Sequence, residues 1–336
     1  MKKMKAVVTI GPKKSVVKEI DMPVMDDNSI LIKVKYVGVC HSEHYDWEHN
    51  EKGGAFGHEP MGVIAEIGKN VKGFNIGDRV SGLWGNTLPG AGAMVEYIKV
   101  DPTKDTVVKL PDNVRDVDLC LEPLSCLLSA VSKIKESMPG TRACIVGTGY
   151  MGCGIISLLK LRGFYVVAVD IKAESRADAL KYGADEVYTP EEAIEKFINQ
   201  SPLANKNQAG FEVVGEWGET NESLSLAINL TRECGHLYVG AYHTGPKRHV
   251  DMQELGVKAI VLYNTHPREY ELSQIGCYNA VEMLEKGTWI YQNIPTMVYP
   301  MSRFDQAHEE LDNKHGHHMK AVINMEMLAG EPYMAD

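Results

Sequence analysis

Hydrophobic and polar positions change their rhythm twice along this chain. Over roughly the first 100 residues the apolar runs are short, rich in β-branched residues and separated by Gly, Asp and Asn turns. Strands are predicted at 6–10, 30–36, 61–67, 78–80 and 94–100. Such spacing predicts a barrel-like all-β unit. Leu119, Leu121, Leu124, Leu127, Leu128, Val131 and Ile134 then give a broad apolar face, so 118–136 predicts a helix. From residue 141 strands and helices alternate. Strands are expected at 143–146, 164–169, 187–188, 211–214, 235–240 and 257–262, and helices after Gly147 and at 175–182, 191–199 and 222–230. This alternation predicts a parallel, doubly wound sheet. After residue 263 the rhythm shifts again, to helices at 273–286 and 304–311 and strands at 296–299 and 320–324. The expected class is α/β, a barrel-like unit joined to a doubly wound domain.

The strand at 143–146 leads into the first candidate chemistry. Gly147-Thr148-Gly149-Tyr150-Met151-Gly152 has the G-x-G-x-x-G spacing, and a second apolar strand ends on Asp170. Gly147 allows a tight turn, Gly149 lets a pyrophosphate approach the backbone, and Gly152 lets helix and strand pack closely. The N–H groups and positive dipole end of the helix then face the phosphates. Asp170 is placed to accept hydrogen bonds from the adenosine ribose. Its carboxylate repels a 2′-phosphate, which favours NAD, while Arg176 is the nearby cation that argues for NADP.

Length, charge and cysteine usage narrow the class. A chain of 336 residues suggests two domains, and a net charge of −10 argues against nucleic acid and anionic membranes as partners. The apolar run after the basic start is too short for a signal-peptide core, and no run approaches a membrane span, so a cytoplasmic location is expected. The seven cysteines are odd in number and lack C-x-x-C spacing, which excludes a disulfide framework.

Cys40 stands apart from the other cysteines. With His58, Glu59 and Glu122 it makes a borderline-soft donor set that suits Zn²⁺. Three protein ligands with one open position is the catalytic arrangement. Taken singly, Cys40 reads as a core residue and His58-Glu59 as a surface pair; the nucleotide motif is what gives the set its meaning.

Five blocks in fixed order carry a family resemblance. They are Gly38-Val39-Cys40-His41-Ser42-Glu43, Gly57-His58-Glu59, Gly77-Asp78-Arg79-Val80, Glu122-Pro123-Leu124, and Val146 through Gly152. With them the chain resembles the zinc-containing medium-chain dehydrogenases of the alcohol dehydrogenase superfamily, and within these the sorbitol, polyol and threonine dehydrogenase branch. The resemblance implies a GroES-like β-barrel catalytic domain at 1–123 and 266–336 and a Rossmann dinucleotide-binding domain at 124–265. It implies a zinc held by Cys40, His58 and Glu59, with Glu122 binding directly or through water at the edge of the substrate pocket. Ser42 matches the hydroxyl that bonds the substrate oxygen, and His41 a residue near the cofactor pyrophosphate. Relatives end a proton relay on histidine where this chain has Tyr45, preceded by His44; either is a candidate. Trp84 matches a substrate-pocket position, with core packing the equal alternative. Glu43 stands where aspartate is usual.

Many relatives also carry a lobe with four cysteines and a second, structural zinc. It would fall within 81–94, which holds no cysteine, so one zinc per subunit is expected. The implied function is reversible oxidation of a polyol, sugar, cyclitol or other secondary alcohol with NAD⁺, in a homodimer or homotetramer. A zinc-free enone or quinone reductase of the same fold and a non-catalytic NAD-binding redox sensor are the alternatives; the metal set and Ser42 argue against both. Two further clusters carry less weight. The loop 264–268 follows the last strand of the nucleotide domain, where ligand crevices form, and His315, His317 and His318 read as a polar loop.

Overall fold

The structure, a computed structural model, describes residues 2–54, 56–84, 92–135, 137–203, 205–311 and 317–336. Residues 85–91 of the segment expected to lack the zinc lobe, and His315, lie outside these. Two compact units emerge: Met1–Ser125 with Gln274–Thr288 and Gln292–Asp336, and Cys126–Ser273 with Trp289–Tyr291.

In the first unit β1 (Lys3–Gly11) and β2 (Lys14–Asp21) form a hairpin. β3 (Ile30–Val39) is followed by α1 (His44–His49), β4 (Glu59–Ile67), β5 (Arg79–Leu83), β6 (Tyr97–Val100), β7 (Thr106–Lys109) and the start of α2 (Leu121–Ser132), which passes into the second unit at Cys126. β3 is the most connected strand. It pairs antiparallel with β4 along most of its length and with β6 along its first half. Val34, Val37 and Val39 of β3, Ile64 of β4, Ile98 of β6, and Trp47 and Phe56 share one buried core. α2 begins at Leu121, not at 118; a short 3₁₀ turn, Asp116–Asp118, precedes it.

The second unit alternates strand and helix: β8 (Arg142–Val146), α3 (Tyr150–Leu161), β9 (Tyr165–Val169), α4 (Ala173–Lys181), β10 (Glu186–Tyr188), α5 (Pro190–Ile194), β11 (Phe211–Glu216), α6 (Asn221–Leu230), β12 (Thr231–Val239), α7 (Met252–Val257) and β13 (Val261–Asn264). The strands are parallel in the order β10-β9-β8-β11-β12-β13. This is the doubly wound order, with its reversal between β8 and β11. The apolar runs of β8 and β9 are buried almost throughout, because helices cover both faces of such a sheet.

The strand expected at 257–262 is corrected. The Asp251 side chain accepts a hydrogen bond from Glu254 N at 2.9 Å and starts α7, and the strand begins only at Val261. Ala259, at a φ of 49°, makes the turn between them. The helix expected at 191–199 is likewise divided, α5 passing into a π-helical turn at Glu195–Asn199.

After α8 (Tyr270–Glu285) the chain supplies β14 (Thr296–Pro300), α9 (Phe304–Glu309), β15 (Lys320–Asn324) and β16 (Tyr333–Met334) to the first unit. β15 pairs antiparallel with β3, so an eight-stranded sheet runs β16-β14-β15-β3-β4-β5-β7 with β6 also on β3. The whole is a GroES-like β unit and a parallel-sheet Rossmann unit. Among the described residues no helix is long and apolar enough to cross a membrane.

Candidate functional site

Three neighbouring strands, β15, β3 and β4, bring the candidate metal ligands to one place. Gly38 in β3 lies opposite Glu59 in β4, and Val39 lies opposite Ala321 in β15. Cys40, just past β3, therefore stands beside His58 and Glu59. One ligand atom from each of Cys40, His58 and Glu59 lies within 4.8 Å of the other two. Gly38 makes the room for this: a Cβ there would stand 1.8 Å from Glu59 Oε2.

Each ligand has a partner that orients it. Glu43 Oε1 lies 3.1 Å from His58 Nδ1 and accepts a hydrogen bond from Gly57 N at 2.8 Å. Ser42 Oγ donates to Cys40 Sγ at 3.2 Å. Burial works to lower the His58 pKa, but hydrogen bonds to Cys40 and Glu43 and the charges of Glu43 and Glu122 hold it well above the usual histidine value. Glu122 is the second residue of α2 and is not one of the three converging ligands. Its helix is tied to the site through Ser81, which is fully buried. Ser81 Oγ donates to Pro60 O at 2.8 Å and accepts from Leu121 N at 3.0 Å.

Glu59 itself is 1% exposed, and among the described residues its Oε1 meets no hydrogen-bond donor. Lys320 Nζ nevertheless lies 2.5 Å from Glu59 Oε2 and donates to Val39 O at 3.2 Å. The contact with Glu59 is thus a close, buried ion pair. Burial would lower the Lys320 pKa, but the Glu59 and Cys40 charges hold it above the usual lysine value. A buried carboxylate with unspent lone pairs, beside a thiol and an imidazole, fits a zinc ion. Sequence reasoning missed Lys320. Its signal was a lysine opening the apolar run Ala321-Val322-Ile323.

The remaining candidates divide between inside and outside. His44 is 8% exposed and packs against His41, Trp47 and His308, with ring centroids 5.3, 5.3 and 6.2 Å away. Tyr45 is 38% exposed and stacks on His49. His41 lies on the exposed side of the stack. Trp84 is buried in the β-unit core, and its Nε1 has no acceptor among the described residues.

In the second unit Gly147 has a φ of 86°, and a Cβ there would stand 2.6 Å from Gly218 N. A Cβ on Gly152 would meet Gly147 O at 2.0 Å. Both positions therefore require glycine. Around Gly149, in contrast, a Cβ would meet nothing within 4 Å. That open face lies at the N-terminus of α3, formed by Tyr150, Met151 and Gly152, where a dinucleotide pyrophosphate fits. Asp170 Oδ2 accepts from Thr148 N at 2.7 Å and from Thr148 Oγ1 at 3.2 Å, while Oδ1 accepts from Lys172 N at 2.8 Å. The acid thus shapes the glycine turn as well as standing at the end of β9. Arg176 is engaged with backbone, donating to Asp170 O at 2.8 Å and Ile171 O at 3.1 Å.

Comparison with known proteins agrees with this architecture. Residues 26–112 match the alcohol dehydrogenase GroES-like domain, and residues 151–275 match the zinc-binding dehydrogenases; together they make up more than half of the chain. An alcohol dehydrogenase of Geobacillus stearothermophilus is 31% identical over 214 residues, 54% of this chain and 62% of that protein, less than two thirds of its length. The sorbitol dehydrogenase of Rattus norvegicus is 26% identical over 362 residues, covering 95% of each chain. The solved L-idonate 5-dehydrogenase of Escherichia coli shares the fold, with a TM-score of 0.77 over 96% of this chain and 98% of that one at 20% identity. The chain belongs to the zinc-binding dehydrogenases with a GroES-like domain, the zinc-containing medium-chain branch of the alcohol dehydrogenase superfamily.

Proposed function

We propose that this protein is a zinc-dependent oxidoreductase that reversibly oxidises a polyol, sugar, cyclitol or related secondary alcohol with NAD⁺. The observation that carries the reading is the convergence of Cys40, His58 and the buried Glu59 carboxylate, whose Oε1 has no hydrogen-bond partner among the described residues. Similarity to the rat sorbitol dehydrogenase supports the substrate class.

Cys40, His58 and Glu59 would hold the zinc, with Glu122 near enough in charge to act on His58. When bound, zinc would supply Lewis-acid polarisation of an alcohol oxygen and nicotinamide would supply the hydride acceptor. Ser42 would take the substrate hydroxyl proton as it releases its own, and His44 or Tyr45 would carry that proton outward. Glu43 fixes the His58 ring. The glycine turn and the first residues of α3 hold the pyrophosphate, and Asp170 takes the adenosine ribose.

The test is zinc per subunit by atomic emission, followed by a panel of polyols, sugars, cyclitols and simple alcohols with NAD⁺ and NADP⁺, read through nicotinamide absorbance. Close to one zinc, with turnover on polyols, is expected. Full activity without metal would remove the mechanism; enone reduction by metal-free protein would favour the zinc-free reductase. Tight NADH binding with no turnover on any alcohol would favour a sensor.

A further inference from the structure

The chain has four tryptophans. Trp47, Trp84 and Trp289 are at most 2% exposed. Trp217 is only partly buried and is absent from the core that Val146, Val214 and Leu237 build in its unit. It follows Glu216, the last residue of β11, at the C-terminal edge of the parallel sheet. Glu216 lies opposite Val146 in register, one residue before Gly147, and Trp217 N donates to Val146 O at 2.8 Å. The indole therefore stands where strand order reverses, the crevice in which this kind of sheet binds dinucleotides.

Its position is built by neighbours. A Cβ on Gly240 would stand 2.2 Å from two atoms of the indole ring, and one on Gly215 would stand 3.2 Å from Nε1. The ring lies across backbone that only glycine leaves uncovered. Glu216, fully buried, holds the loop on which the indole sits. Its Oε1 accepts from Gly218 N at 2.9 Å, Glu219 N at 3.0 Å and Ser223 Oγ at 2.6 Å. Its Oε2 lies 2.9 Å from Nε2 of His243, which comes from the segment after β12. One buried carboxylate thus ties the loop after β11 to the loop after β12.

The sheet also says which part of a ligand this ring would meet. Asp170 follows β9, on one side of β8, and Trp217 follows β11, on the other. The fold has two mononucleotide halves, one on each side of the reversal. With the adenosine ribose on Asp170, the indole faces the other half. We propose that Trp217 is a contact surface for the nicotinamide mononucleotide half of the dinucleotide, and that Glu216 and His243 are positioning residues that hold it there. This rests on the dinucleotide reading above.

The experiment compares dissociation constants of NADH and of ADP-ribose, which lacks nicotinamide, by calorimetry on the full chain. Trp217→Ala should weaken NADH about tenfold, the scale of one aromatic stack, and leave ADP-ribose within about twofold. Trp217→Phe should keep most of the affinity. Glu216→Gln and His243→Gln should shift the NADH to ADP-ribose ratio in the same direction as Trp217→Ala, a change that a general loss of folding would not produce. If Trp217→Ala does not fold, Trp217→Leu reads the same ratio. An unchanged ratio in a wild type that binds NADH overturns the assignment of Trp217 alone. Failure of the wild type to bind either NADH or NADPH overturns the dinucleotide reading and this proposal with it.

Discussion

Lys320 Nζ lies 2.5 Å from Glu59 Oε2, with the two side chains only 9% and 1% exposed. The ammonium comes from the start of β15 and the carboxylate from the start of β4. Glu59 is thus shared between a fixed cation of the protein and the place a metal would take. Removing one partner of such a pair leaves an uncompensated buried charge, which costs about 3–5 kcal/mol. Lys320→Met should destabilise metal-free protein by that order, and zinc should restore more of its stability than it adds to the wild type. Urea unfolding of both proteins, with and without zinc, checks this; equal zinc stabilisation in the two would refute it.

The metal ligands should serve chemistry more than folding, because each unit has its own core. Cys40→Ser and His58→Ala are expected to lose zinc and nearly all turnover, yet keep their circular dichroism and NADH affinity. Glu122→Gln should lower activity more than zinc content, since Glu122 is not one of the three converging ligands. Zinc analysis beside initial rates decides it. Two tightly bound zincs in the wild type would reveal a structural site as well.

Asp170 does two things, so its replacement should have two effects. Asp170→Gly with Ile171→Arg should move preference from NAD towards NADP, a cation replacing a carboxylate that repels phosphate. It also removes the acceptor for Thr148 N and Oγ1. Affinity for both dinucleotides should therefore fall somewhat while their ratio inverts. A wild type that already prefers NADP would contradict the role given to Asp170.

His308 is fully buried among Trp47, Phe56 and Phe304, and among the described residues neither ring nitrogen has a hydrogen-bond partner. Burial, with the charges of His44 and His41, pushes its pKa down to about 3. The folded protein keeps this ring neutral while the unfolded chain protonates it near pH 6.5. Stability should therefore fall as pH drops from about 6.5 towards 3, by about 1.4 kcal/mol per pH unit from this group. His308→Phe should remove that slope and gain relative to wild type at pH 5. Parallel acid-limb slopes in urea titrations of the two proteins would show that His308 is not responsible.

β13 ends the six-stranded sheet, and its four residues, Val261 to Asn264, are all exposed. An uncovered apolar edge invites pairing with another strand, so a two-fold homodimer through β13, or a tetramer built from it, is expected. Leu262→Lys should shift the protein towards monomer in light scattering, with the fold intact. A wild type that is monomeric at micromolar concentration would refute the expectation.

Local pattern determined a good deal by itself. The glycine turn at Gly147 to Gly152 and the alternation after it were legible because a strand, a tight turn and a helix are set by neighbours in sequence. Residue type marked Cys40, His58, Glu59 and Glu122 as a zinc-suited set, but not which three of them converge. Where propensity and capping disagreed, the sequence misled: 257–262 reads as strand, yet the Asp251 cap draws residues up to Val257 into a helix. What only the tertiary structure decided was proximity across the chain. The pairing of β15 with β3, about 280 residues apart, sets Lys320 beside Glu59. The side-by-side order of β8, β11 and β12 joins Glu216 to His243 and lays Trp217 over Gly240. Periodicity records which face of an element is buried. It carries no information about which distant strand lies alongside, and that neighbour decides what a buried charge is paired with.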